Sequence, residues 1–213
     1  MMPQRIVICS GGELGAWALP HLDQDAFRIG ADRGALFLVE QGYAPQLAIG
    51  DFDSVTDEQL EQIRSASTEL ITCDPIYKDY TDTEMALRYS LEQNPDEIIL
   101  LGALGTRFDH SLSNVQLLVL AEQRGVPACI IDEHNCITVT SSKRIIQKGL
   151  YANVSLLPLS SAVTGITLTG FQYPLHKASL QIGQSLGISN VLTEMEGSIA
   201  IDEGMLLIIQ SRD

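Results

Sequence analysis

Carboxylates recur at three points in the first half of this 213-residue sequence, each close behind an apolar run. Asp32 follows FRIGA (27–31), Asp51 and Asp53 sit in GDFDS (50–54) behind QLAIG, and Asp109 follows EIILLG inside GALGTRFDHSLSN (102–114). Two carboxylates two residues apart on an extended or tightly turned stretch can both face one hard divalent cation, and magnesium suits such oxygen donors. A helix cap at one Asp and a solvated partner explain a lone pair about as well. In KDYTDTE (78–84), Lys78, Asp79 and Asp82 stand around Thr81, a capping residue at a helix start whose free N–H groups attract anions. Lys78 is a candidate for a phosphate and Asp82 for a magnesium site; the ordinary acidic bias of a first helical turn is the plainer account. In the third segment Arg107 suits phosphate oxygens, and Asp109 can accept hydrogen bonds from a cationic or amino-bearing ligand. His110 and Asn114, four apart, share one side of the helix that begins there.

The elements that must hold these groups follow from periodicity. Apolar runs at 5–10, 27–31, 46–50, 69–73, 97–102 and 127–132 alternate with helical stretches, the pattern of parallel strands joined by helices. Thr56 with Gln59 and Thr81 with Glu84 fit capping boxes, and Gly125 before Pro127 fits a helix stop. A helix from about 110 to 124 is expected to turn Leu112, Val115, Leu118 and Val119 to the core. In an open parallel sheet the carboxyl-terminal strand ends border one crevice, so Asp32, Asp51, Asp53 and Asp109 can share a site. Beyond about residue 141 the helical period fades. Segments such as NVSLLPLS and VTGITLTGF read as antiparallel β, and Asp202-Glu203-Gly204 between SIAI and MLLII predicts a hairpin. The division falls at 138/139.

A formal net charge of −14 argues against nucleic-acid or anionic-membrane partners. It is compatible with a polyanion whose charge is met by metal ions and a few basic side chains. Cys9, Cys73, Cys129 and Cys136 show no CxxC or zinc-ligand spacing and read as thiols of a reducing compartment. No apolar run approaches the roughly 20 residues of a membrane span, and a cytoplasmic location is expected.

The order GDFDS, KDYTDTE, GALGTRFDHSLSN, followed by a β-rich tail carrying GISN (187–190), resembles the thiamine pyrophosphokinase family over nearly the whole chain. The resemblance implies a Rossmann-like α/β amino-terminal domain (1–138) that binds ATP and a smaller antiparallel β-sandwich domain (139–213) that contributes to thiamine binding and dimerisation. It implies transfer of a pyrophosphoryl group from ATP to thiamine, with Mg2+, in a homodimer. Asp51, Asp53 and Asp82 would then be catalytic and hold the metal. Lys78, Asp79, Arg107, Asp109, His110 and Asn114 would attend ATP, and Asp32, Ser189 and Asn190 would attend thiamine, the last two from the partner subunit. Thr106 stands where the family often has glycine, which matters only if that position needs a positive φ. Two other readings stay open. DFDSV (51–55) also resembles the nucleophile loop of haloacid-dehalogenase-type phosphatases, although two strands precede it here, and the same cleft would serve a non-enzymatic sensor of thiamine or a nucleotide.

Overall fold

The computed structural model describes residues 5–22, 25–73 and 79–213, which fall into two compact units, 1–133 and 134–213. In the first unit the six apolar runs become β1 (Arg5–Cys9), β2 (Phe27–Ala31), β3 (Leu47–Gly50), β4 (Glu69–Thr72), β5 (Glu97–Leu101) and β6 (Ala128–Ile131). They pair in parallel in the order β6-β5-β1-β2-β3-β4. Ile6, Ile8, Ile98 and Leu100 are wholly buried, as expected of central strands covered on both faces. Burial also raises the pKa of the Cys9 thiol to about 12, so it behaves as a neutral core group.

The helices are α1 (Arg33–Glu40), α2 (Asp57–Ala66), α3 (Asp82–Glu92) and α4 (Phe108–Arg124). Thr56 and Gln59 form the complete reciprocal capping box of α2. At α3 only half of the expected box exists: Thr81 accepts from the Glu84 N–H, but the Glu84 carboxylate turns to Arg88 instead. Gly125 ends α4 in the left-handed region at φ 69°. α4 starts one turn-fragment earlier than the periodicity indicated, and Leu112 is 45 % exposed where the core was expected. Val115 and Leu118 are buried as expected, together with Asn114, Leu117 and Ala121, and Asn114 reaches the β5 exit loop at the Ala103 carbonyl.

The second unit holds β7 (Asn135–Thr140), β8 (Lys143–Gln147), β9 (Asn153–Pro158), β10 (Ala162–Thr169), β11 (Ala178–Gln181), β12 (Asn190–Val191), β13 (Glu196–Ala200) and β14 (Leu206–Ser211). Two antiparallel layers, β12-β9-β14-β7 and β11-β10-β13-β8, form a sandwich. Leu156, Leu206 and Ile208 of one layer share a core with Val163, Leu168 and Ile199 of the other. The expected hairpin at 202–204 is not one. β13 pairs with β10 and β8, whereas β14 pairs with β7 and β9, so the chain changes layers through this turn. Gly204 at φ 102° packs on the Ala162 carbonyl and Ser160, which fixes the crossing.

Candidate active site

β1 is the point from which the first unit's sheet is wound both ways, with β2 on one side and β5 on the other. In open parallel sheets ligands bind outside the carboxyl ends of the strands at such a switch point. A cavity of about 840 Å³ lies there, lined from the β1 exit (Ser10 to Gly12), the β3 exit (Asp51, Asp53, Ser54), the α3 start (Asp79 to Thr83) and the β5 exit into α4. Of the first-unit site residues expected from the sequence, Asp32, Asp51, Asp53, Asp79, Asp82, Arg107, His110 and Asn114 line it, Asp109 does not but stands next to His110 in the chain, and Lys78 lies outside the described residues.

The β1 and β5 exit loops are stitched together. Ser10 N–H donates to the Leu101 carbonyl at 2.8 Å, Gly12 N–H to Gly102 at 2.8 Å and Glu13 N–H to Leu104 at 3.0 Å. A Cβ on Gly12 would overlap the Gly102 and Leu104 carbonyl oxygens, both of them backbone. Gly12→Ala is therefore expected to destabilise the protein by roughly 1–3 kcal/mol. Gly105→Ala, whose Cβ would meet nothing nearer than 3.6 Å, should leave the urea midpoint almost in place. Equal midpoints for the two variants would show that the loops part without cost. Thr106 keeps an ordinary negative φ, and the positive φ of this loop belongs to Gly102 at 64°, so the threonine needs no special backbone.

Three carboxylates gather at the ends of β2 and β3. One oxygen each from Asp32, Asp51 and Asp53 lies within 4.8 Å of the others. Backbone conformation does the gathering. Asp32 precedes α1 at φ 50° and makes no side-chain cap, so its carboxylate is not spent on the helix N–H groups. Its N–H is anchored on the Ile49 carbonyl at 2.9 Å, and Ser54 Oγ donates to Oδ2 at 2.6 Å. Phe52, at φ 57° and 4 % exposed, drives its ring among Ala35, Leu36, Ala48 and Ile63, which leaves its neighbours Asp51 and Asp53 to the cavity side. Left-handed non-glycine residues cost on the order of 1–3 kcal/mol each, and two of them flank this cluster. Asp82 approaches from α3, its Oδ1 3.3 Å from where a Cβ on Gly50 would be.

Across the cavity, Arg107 Nη2 donates to Asp109 Oδ2 at 2.7 Å and Nε to Oδ1 at 3.3 Å. That hydrogen bond holds the Asp109 carboxyl below its usual range and raises the already high Arg107 pKa. Asn114 Nδ2 donates to the Ala103 carbonyl at 2.7 Å, and Ser111 Oγ accepts from Gly105 N–H at 3.1 Å, so α4 shapes the loop that carries Arg107. Sequence reasoning passed over the Ser10–Gly12 loop, Thr83 and Ser111. Thr83 Oγ donates to Ser10 Oγ at 3.0 Å, both buried, tying α3 to β1 beneath the cavity. The paired glycines after the first strand were the available signal.

In the second unit Ser189 is exposed at φ 59°, its N–H on Ser155 Oγ at 3.0 Å. Asn190 is buried and uses its side-chain amide locally: Nδ2 donates to the Tyr173 carbonyl at 2.7 Å, and Oδ1 accepts from the N–H groups of Tyr173 and Val191.

Comparison with known proteins accords with this geometry. Residues 20–130 match the family described as thiamin pyrophosphokinase, catalytic domain, and residues 134–206 match thiamin pyrophosphokinase, vitamin B1 binding domain. The thiamine pyrophosphokinase of Bacillus subtilis (strain 168) is 35% identical over 198 residues, 91% of each chain. The crystal structure of thiamine pyrophosphokinase from Bacillus subtilis superposes with a TM-score of 0.90 at 33% identity, covering 98% of this chain and 99% of that one. That of thiamin pyrophosphokinase from Geobacillus thermodenitrificans gives 0.89 at 36%, covering 98% of both. Both units thus match one family in the same order, and the chain belongs to the thiamin pyrophosphokinase family.

Proposed function

We propose that this protein transfers a pyrophosphoryl group from ATP to the hydroxyl of thiamine, giving thiamine diphosphate and AMP, as a cytoplasmic homodimer that uses Mg2+. The observation that carries the reading is the Asp32, Asp51 and Asp53 cluster facing a cavity that also presents Arg107, in a chain of this family. The cluster fits a hard divalent cation: all donors are carboxylate oxygens, and Asp32 Oδ1 is buried without a hydrogen-bond partner. Asp51, Asp53 and Asp82 would hold the ion, with Asp32 completing the set. Bound there, it supplies positive charge to polyphosphate oxygens.

The chain's own groups do the rest. Arg107 leaves Asp109 for the phosphates, and Lys78 adds a second cation, which favours the charge that builds as the hydroxyl oxygen attacks the β-phosphorus and AMP departs. Asp79, His110 and Asn114 border the nucleotide, and the stitched β1 and β5 loops hold it in line. A carboxylate must accept the hydroxyl proton. The two candidates are Asp82 at the α3 start and Asp109, which Arg107 releases when it turns to the phosphates. Residues 1–138 would form the ATP domain, and residues 139–213 would serve thiamine and the dimer. Ser189 would offer its hydroxyl to thiamine from the partner subunit, while Asn190 keeps the loop in shape through Tyr173. No helix among the described residues is long and apolar enough to cross a membrane.

Incubation with ATP, Mg2+ and thiamine should yield AMP and thiamine diphosphate in equal amounts by chromatography, with Asp82→Asn reducing the rate by on the order of 10²-fold or more. ADP with thiamine monophosphate would instead mean single phosphoryl transfer. A trapped phosphoenzyme would favour the phosphatase reading, and ligand binding without turnover would favour a sensor.

A further inference from the structure

Tyr80 is the one Phe, Tyr or Trp side chain among the described residues that line the cavity, and nothing in the proposed chemistry uses it. It is 44 % exposed. Its ring is nevertheless held in place. The Arg88 guanidinium lies over it, 4.5 Å from the centroid. Arg88 is held in turn by Glu84 one helical turn back on α3, with Nε and Nη2 each 2.8 Å from Oε1. This is why the α3 capping box is only half made: Glu84 is engaged with Arg88 and not with the helix start. Tyr80, Arg88 and Glu84 thus form one line of contacts that favours a single orientation of the ring. Arg88 occupies one face of the ring. The surface Tyr80 leaves for a ligand is its other face, its edge and its hydroxyl.

A pre-oriented aromatic face beside a polyphosphate site suits a flat heteroaromatic ring. We propose that Tyr80 is a stacking platform for the adenine of ATP, with Glu84 and Arg88 as positioning residues that hold its ring. The neutral purine fits this face better than thiamine's thiazolium does. The purine offers more overlap, and a permanent cation gains less from a ring whose opposite face already carries a guanidinium. The inference rests on the functional reading above only for the identity of the nucleotide.

Calorimetry on the whole protein in Mg2+ separates the two ideas, with ATP, inorganic tripolyphosphate and thiamine as separate titrants. Stacking of a base on an aromatic ring predicts that Tyr80→Ala weakens ATP about tenfold, while tripolyphosphate and thiamine bind as before. Tyr80→Phe should restore ATP affinity to within about twofold, because the ring face and not the hydroxyl is at work. Arg88→Met should weaken ATP by a smaller factor at an unchanged melting temperature. In turnover, Tyr80→Ala should raise KM for ATP and leave kcat nearly unchanged. The proposal is overturned if Tyr80→Ala binds ATP like the wild type, if tripolyphosphate weakens in parallel, or if the loss falls on thiamine. Wild-type protein that binds neither ATP nor tripolyphosphate would overturn the functional reading and the stacking platform together.

Discussion

Asp51→Asn should bind Mn2+ at least about 100-fold more weakly than the wild type and turn over on the order of 10²–10³-fold more slowly, while melting at the same temperature or slightly higher. The opposite signs come from one geometry. Asp51 shares a space of 4.8 Å with Asp32 and Asp53, so three like charges repel one another whenever no cation lies between them. Removing one charge relaxes that repulsion in the free protein and removes a donor from the loaded one. The amide preserves the local turn, because its oxygen can still accept from the Asp53 N–H as the carboxylate does at 3.3 Å. Calorimetric titration with Mn2+ and a melting curve on the same sample read both effects. Full metal affinity in the variant would take Asp51 out of the proposed ligand set, and a marked fall in melting temperature would make it a structural residue.

Phe52→Ala should lose about 3–5 kcal/mol of stability, the usual cost of emptying an aromatic site in a core. It should also lose metal affinity, although the ring touches no ligand. The side chain anchors GDFDS into the pocket formed by Ala35, Leu36, Ala48 and Ile63. Without it, the segment carrying Asp51 and Asp53 loses its anchor in the core, at a backbone φ of 57° that an alanine also tolerates poorly. Phe52→Leu, which refills much of the volume, should recover most of the Mn2+ affinity. Phe108→Ala provides the contrast: that ring is 75 % exposed, and its loss should move stability by no more than about 0.5 kcal/mol. The comparison is made by urea denaturation followed by Mn2+ titration of the folded variants. Unchanged metal affinity in Phe52→Ala would separate core packing from carboxylate placement.

The parallel strands of the first unit were readable because strands buried on both faces write themselves as short continuous apolar runs, and FRIGA became β2 residue for residue. The Thr56 box was readable because its two hydrogen bonds are local. The turn at 202–204 was misread for the complementary reason. Turn composition reports a reversal, but which layer receives the next strand depends on partners such as β7 and β9 that lie far off in sequence. Leu112 failed similarly, since its spacing to Val115 fits a core face yet the side chain is 45 % exposed, and which residues of the first turns are covered depends on tertiary neighbours. In the cavity, residue types and order were sufficient to single out the acidic positions. That they share one crevice followed from the strand ends, but the approach of Asp32, Asp51 and Asp53 to within 4.8 Å did not, because it depends on Asp32 and Phe52 adopting backbone angles that composition disfavours. The half-made box at Thr81 carried a signal of its own, legible only once Arg88 was seen over Tyr80.

The left-handed backbone at Asp32 has a consequence for laboratory evolution. A library screened only for survival of heating should enrich glycine at position 32, since glycine adopts φ 50° freely and also removes a charge from a crowded cluster. The same library grown under a demand for the product should discard those clones. Comparing the two enriched pools at this single codon would separate what the fold tolerates there from what the reaction requires.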